Sequence, residues 1–234
     1  MFGDAAGGLA KTAGVVADDT LTAPQVWLLA TSTRQHPEII WLLASVGLRW
    51  GEMAALRPCD LDFNRNRIRV RRSASKVNGR TVIGPVKTWE ARTVVVAAEI
   101  MAMLKPLSVG KPRTALLWER PTKGGPLRPP TTTHWFTFAV IRAQAADPTF
   151  PEHLNVHRLR HTAASLMIQQ GQNIKKVQRQ LGHKSAEMTF DRYGHLYGDD
   201  LDEIGFAMGA ALGLSSEDRG QSVGTPVAPT LSAS

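Results

Sequence analysis

Regular placement of apolar side chains begins near residue 22. Thr22-Ala23-Pro24-Gln25 has the form of a capping box with proline just inside a helix, and Val26, Leu28 and Leu29 supply the apolar stripe behind it. A second helix is expected from Pro37 through Ile39, Ile40, Leu42 and Leu43 to Val46, where Gly47 interrupts it. A short third helix covers 49–56 and stops before Pro58. The period then changes. Arg65, Arg67, Arg69 and Arg71 alternate with Asn66, Ile68 and Val70, the two-residue repeat of a strand with unlike faces. Residues 81–86 and 92–96 also read as strands, joined by a tight turn over 87–91. Helical spacing returns at 97–106, 131–146, 158–170, 173–181, 185–196 and 200–213. The expected class is α+β, a mostly helical domain with a small three-stranded antiparallel sheet.

The two ends lack this patterning. Residues 1–20 are rich in Ala and Gly and read as a linker or frayed N-terminus. Residues 214–234 carry too few large apolar side chains to order themselves and read as a disordered tail. The expected folded domain is therefore 21–213.

Composition narrows the function classes. With 43% hydrophobic residues and no apolar run near the ~18 residues of a membrane span, the chain reads as a soluble protein without a membrane partner. Its one cysteine, Cys59, excludes an internal disulfide and a thiolate zinc cluster, so a reducing cytoplasm is the expected compartment. Net charge is +8, but residues 199–234 hold six acids against one base, which leaves about +13 on the first 198 residues. A polyanionic partner fits that distribution; so does an ordinary basic surface, and charge alone does not separate them.

Candidate chemistry lies in a spaced set of arginines, histidines and one tyrosine. Arg49 and Glu52 share a helical face at three-residue spacing, so the carboxylate can hold the guanidinium while other donors stay free for a phosphate. The same fragment alone also suits a surface ion pair. His157 and Arg160 repeat the spacing in His-Arg-Leu-Arg-His, and a guanidinium beside an imidazole can clamp a phosphate and move a proton near neutral pH. His161 reads as a packing residue. Leu181-Gly182-His183 is followed by Tyr193-Gly194-His195, and the only other tyrosine is Tyr197. A phenol has an ordinary pKa near ~10, so it attacks phosphorus well only where cations or a base favour phenolate. No phosphate-binding glycine loop accompanies these residues. His157 and His161 at four-residue spacing lack the carboxylate of a metal-binding helix, so no metal is expected.

Together these segments resemble the tyrosine recombinase or phage integrase family. GLRWGEMAAL, KTWEARTVVV, HRLRHTAASLMIQQG and LGHKSAEMTFDRYGHLY are similar to that family's motifs over about residues 21–200. The resemblance implies a site-specific recombinase that cleaves and rejoins DNA through a 3′-phosphotyrosine, without metal or small-molecule cofactor. It implies Arg49 and Arg160 as ligands of the scissile phosphate, Glu52 as support for Arg49, and Lys87 as general acid in preference to Lys76 or Lys105. His157 and His183 become phosphate and proton-transfer groups, and Tyr193 the nucleophile in preference to Tyr197. Double-stranded DNA is the implied partner, with a homo-oligomer, a tetramer, assembled on it. The family's N-terminal DNA-clamping domain has no counterpart among the first 20 residues.

Arg65, Arg67, Arg69 and Arg71 would make a cationic stripe able to track phosphates, or simply a solvated strand face. Rival functions are a type IB topoisomerase-like or resolvase activity, which shares the chemistry, and a non-catalytic or remnant DNA-binding module that has kept the fold. The complete set of Arg49, Lys87, His157, Arg160, His183 and Tyr193 argues against the remnant.

Overall fold

Local sequence signals account for most element boundaries. In α1 (Ala23–Ser32) the Gln25 amide donates to Thr22 Oγ1 at 3.4 Å and the Thr22 amide donates to Gln25 Oε1 at 3.0 Å, the reciprocal pair the capping box requires. Helix α2 (Pro37–Val46) starts on proline and ends at Gly47, whose φ of 72° lets its amide turn back to the Leu43 carbonyl. A computed structural model describes residues 20–86, 91–131 and 134–193, with 208, 211 and 212. The chain divides into two units, Met1–Tyr197 and Gly198–Ser234. In the second, the Leu212 amide donates to the Met208 carbonyl at 3.0 Å, one helical bond. The expected linker over 1–19, the turn over 87–90 with Lys87, Tyr197, most of the expected 200–213 helix and the expected tail lie outside the described residues.

Helix α2 forms the centre of the first unit. Ile39, Ile40, Leu42, Leu43, Ala44 and Val46 are all buried, as expected of a helix apolar on most sides. It packs on α1, on α4 (Ala98–Ser108) and most extensively on α6 (Val156–Gln169). Each large apolar side chain buried there contributes about 1.5–3 kcal/mol. Helix α5 (Trp135–Ala146) covers α1, and α3 (Trp50–Ala54) is a single short turn leading into a 3-10 turn at Pro58–Asp60.

The three-stranded antiparallel sheet has the order β1 (Leu61–Asp62), β2 (Arg67–Val70), β5 (Arg92–Val95). Ile68 faces Val94 in register and both are buried, with Val70, while Arg67 and Arg69 point outward. Its membership differs from expectation in one strand. Residues 81–86 were expected in this sheet, but β4 (Arg80–Pro85) pairs with β3 (Arg72–Val77) in a separate hairpin. Asn78 and Gly79, with φ of 47° and 77°, provide the two left-handed positions of a type I′ turn. Strand β3 has no counterpart among the expected elements because Arg-Ser-Ala-Ser-Lys-Val is polar and its outer half is exposed, so it carries no alternation of burial.

The last helices carry the chemistry. Helix α6 starts at Val156, two residues earlier than expected, because Asn155 Oδ1 accepts from the His157 and Arg158 amides at 3.0 and 3.2 Å. Helix α7 (Ile174–Leu181) is capped by Asn173 and ends at Gly182 in the left-handed region, and α8 (Ala186–Tyr193) follows. No helix among the described residues is long and apolar enough to cross a membrane.

Candidate active site

Arg49 is the residue immediately before α3, and Glu52 lies on the helix's first turn. Glu52 Oε2 accepts from the Arg49 amide at 2.9 Å and Oε1 from Arg49 Nη1 at 3.0 Å. A second guanidinium grips the same carboxylate: Arg92 Nη1 and Nη2 donate to Oε1 and Oε2 at 2.9 and 2.8 Å. Burial pushes the Glu52 carboxyl up, but its bonds to Arg92 and Arg49 outweigh that and hold it below the usual glutamate range. The Arg49 side chain remains 43% exposed, so it reaches solvent from an anchored base.

Arg160, from α6, lies behind this pair and is only 4% exposed. Its Nη1 donates to the carbonyls of Gly47 and Leu181, the latter at 2.9 Å. Gly47 permits this approach, because a β-carbon there would run into the Leu181 side chain. Arg160 Nη2 is buried and has no hydrogen-bond partner among the described residues, a costly state for a charged donor. Burial, then repulsion from Arg49, lowers the Arg160 pKa to about 10, with Glu52 and Tyr193 pulling the other way. It is therefore still cationic at neutral pH, and an anion reaching it gains what the fold leaves unsatisfied.

Tyr193, at the end of α8, is 5% exposed and packs with Ala164, Ile168, Val177 and Leu181 in a small apolar cluster apart from the main core. Its phenol oxygen lies 2.6 Å from His161 Nδ1. The His161 ring in turn meets His157 edge-on, with centroids 4.9 Å apart. His157 is exposed in the first turn of α6. His183 follows the Gly182 turn, and its Nδ1 lies 2.8 Å from the buried Thr189 hydroxyl, which fixes the ring. Gly182 is needed here, since a β-carbon would lie 2.8 Å from the Arg92 guanidinium.

Arg49, Glu52 and Arg160 thus share one neighbourhood, and Tyr193 is near enough to act on the Arg160 charge. Lys87 lies outside the described residues. The four arginines expected as a stripe are distributed differently. Arg67 and Arg69 point out from β2, Arg65 is in the preceding turn, and all three line a cavity of about 420 Å³ with Asp62 and Thr93. Arg71 follows the strand and is bonded to Asp60 through Nε and Nη2 at 3.1 and 2.8 Å. A second cavity, about 360 Å³, is lined by Arg92, Thr93, Arg179, His183 and Lys184 among others. Thr93 belongs to both.

Three residues were missed as site components. Arg92 has the same strand phase as buried Val94 and Val96, and an arginine at a core-facing position requires a carboxylate partner; that phase was the available signal. His161, expected to pack, stands four residues after His157, which puts both on one face of α6. Gln180 left no signal. Its carboxamide accepts from the Val95 amide at 3.1 Å and donates to the Val95 carbonyl at 2.7 Å, while its own carbonyl accepts from Arg92 Nε at 3.2 Å. The end of α7, and with it His183, is thereby fixed to β5.

Comparisons with known proteins agree with this architecture. The integrase of Mycobacterium phage L5 is 31% identical over 182 residues, covering 73% of this chain and 47% of that protein. Tyrosine recombinase XerC of Bifidobacterium longum is 26% identical over 210 residues, covering 82% of this chain and 55% of its own length. The chain thus spans about half the length of these curated relatives. Among solved structures, the Tn1549 transposon integrase in complex with a circular intermediate DNA superposes with a TM-score of 0.69 at 21% identity, covering 85% of this chain and 67% of that one. The catalytic domain of bacteriophage HP1 integrase superposes with a TM-score of 0.54 at 24% identity, covering 82% of this chain and 96% of that domain. The sequence also matches the phage integrase family model over residues 23–199. With three quarters of its length inside that match, the chain belongs to the phage integrase family.

Proposed function

We propose that the chain is the catalytic domain of a site-specific DNA recombinase that cuts and rejoins double-stranded DNA through a 3′-phosphotyrosyl bond to Tyr193. The observation that carries this reading is Arg160 Nη2, buried and without a hydrogen-bond partner among the described residues, in the same neighbourhood as the anchored but solvent-reaching Arg49. Such a pair suits one phosphodiester, held between a fixed buried donor and a reachable outer one. Negative charge on the non-bridging oxygens grows in the pentavalent transition state, so both guanidiniums pull harder there than in the ground state.

In the reaction the Tyr193 oxygen bonds to phosphorus, the bond from phosphorus to the 5′-oxygen breaks, and Lys87 protonates that oxygen as general acid. His157 and His183 hydrogen-bond the phosphate and assist proton movement. Glu52 keeps Arg49 in place. The phosphotyrosyl ester conserves the energy of the broken bond, so a 5′-hydroxyl can reverse the step without ATP. The arginines supply the cationic charge that a metal ion supplies in other phosphoryl transfers. Arg65, Arg67 and Arg69 extend the cationic surface toward the site by way of Thr93 and follow the DNA backbone. DNA as partner is further supported by the Tn1549 integrase complex with circular intermediate DNA and by XerH bound to palindromic difH substrate. The recombinase works as a tetramer on its DNA, in the cytoplasm.

The test is a suicide DNA substrate in excess EDTA, followed by denaturing gel electrophoresis. The full chain should form a denaturant-stable adduct, and Tyr193→Phe should form none while still binding DNA. Adduct that persists in Tyr193→Phe and vanishes in Tyr197→Phe would overturn the nucleophile. A strict need for added Mg²⁺ would overturn the mechanism.

A further inference from the structure

We infer that His161 is a catalytic residue, the base that takes the phenolic proton as Tyr193 attacks phosphorus. This rests on the reading of Tyr193 as nucleophile. Of the two histidines on this face of α6, it is His161 whose ring nitrogen lies 2.6 Å from the phenol oxygen, a normal distance for a strong O–H···N bond. His157, the residue expected to assist proton transfer, meets the His161 ring edge-on. The phenol ring is held by Ala164, Ile168, Val177 and Leu181, so its oxygen meets His161 in a preset position. With Nδ1 unprotonated, the phenol donates to it; the tautomer is assigned by this role.

The Tyr193 O–H bond breaks and its proton passes to His161 Nδ1, giving imidazolium. The freed electron pair forms the bond to phosphorus, and the 5′-oxygen leaves with the proton from Lys87. In religation the imidazolium returns its proton to the departing phenolate. The edge-on His157 ring limits how far His161 can rotate while it holds the proton. Arg160, near enough to Tyr193 for their charges to interact, favours developing phenolate over phenol.

A buried phenol also bonds to a histidine merely to satisfy its hydroxyl, so the test must read proton transfer. His161→Phe and His161→Gln are made in the full chain, and single-turnover adduct formation is measured on ordinary suicide DNA and on DNA whose leaving 5′-oxygen is replaced by sulfur. Sulfur leaves without a general acid, so a defect in Lys87 disappears on that substrate and a defect in the base does not. Both His161 variants should be slowed about 100-fold on both substrates, with DNA binding retained. A ring-fluorinated tyrosine in place of Tyr193, whose phenol is more acidic, should recover most of the loss in His161→Gln. Rates within about threefold of the parent in His161→Gln, or a loss that vanishes on the sulfur substrate, would overturn the inference while leaving Tyr193 as nucleophile. Adduct surviving in Tyr193→Phe would instead remove the reading beneath it. If His161→Phe fails to fold, His161→Gln, which keeps a polar group of similar reach, decides the matter alone.

Discussion

Two buried carboxylates in this protein each hold two arginines, and only one of them belongs to the candidate site. Glu52 binds Arg49 and Arg92; Asp60 binds Arg71 and Arg72. Both carboxylates are 2% exposed. Each also accepts the amide three residues earlier, from Arg49 and Arg57. Even the outer arginines match, at 43% exposure for Arg49 and 42% for Arg71. The difference lies behind them. Next to Glu52 is a third guanidinium, Arg160, with a buried donor that has no partner among the described residues and a tyrosine within electrostatic reach. Around Asp60, Arg57 Nε and Arg72 Nε are likewise buried without a partner among the described residues, and the group beside the clamp is the Cys59 thiol, 3.7 Å from Arg71 Nη2, rather than a phenol. An arginine pair on a carboxylate is a way of fastening chain to chain. What sets the Glu52 clamp apart is the phenol beside its third guanidinium.

The two clamps differ most under substitution of their carboxylates. Glu52→Gln and Asp60→Asn should each destabilise the protein by about 3 kcal/mol, since each removes the shared anion from two arginines. Only Glu52→Gln should also slow adduct formation, by about 100-fold, because Arg49 loses its anchor. Melting curves and single-turnover cleavage of the two variants check this; equal losses of activity would mean that the two clamps do not differ in function.

Outer arginines offer a smaller contrast. Removing Arg67 and Arg69 together should weaken DNA binding about tenfold at moderate salt and lower the salt slope by about 2. Arg71→Ala should leave the slope nearly unchanged, since its guanidinium already serves Asp60. Titrations at several salt concentrations measure both. The smallest effect concerns acid. The Glu52 carboxyl lies below its ordinary value of 4.5 in the fold, so its contribution to stability is complete above that pH and fades as pH falls through the folded value. Between pH 5 and 3 the Glu52→Gln protein should therefore lose less melting temperature than the parent. An equally steep acid limb in the two proteins would remove Glu52 from the account.

Much of this was legible in the sequence, for identifiable reasons. The capping box at Thr22, the glycine stop at Gly47 and the alternation around Ile68 are local signals, and the corresponding elements formed where they indicated. The core-centre helix α2 was equally plain, because its apolar residues are contiguous. Hairpin β3–β4 was not, since its burial is slight and its one strong cue, Asn78-Gly79, sits between strands of unequal legibility. Arg49, Glu52 and Arg160 were found through motif spacing, and they do share a neighbourhood. Arg92 and His161 were missed because their importance lies in partners 40 and 32 residues away, a relation that no local period expresses. The cationic stripe was half-legible: alternation predicts which arginines point outward, but not that Asp60 lies where Arg71 can reach it.

Gln180 has a consequence beyond fixing the end of α7. Strand β5 is the outer member of its sheet, and such a strand presents unpaired main-chain groups to any other chain that drifts past. The Gln180 carboxamide bonds both the amide and the carbonyl of Val95, as a neighbouring strand would. At that point the margin of the sheet is closed by a single side chain, and a strand from another chain is denied a place to add.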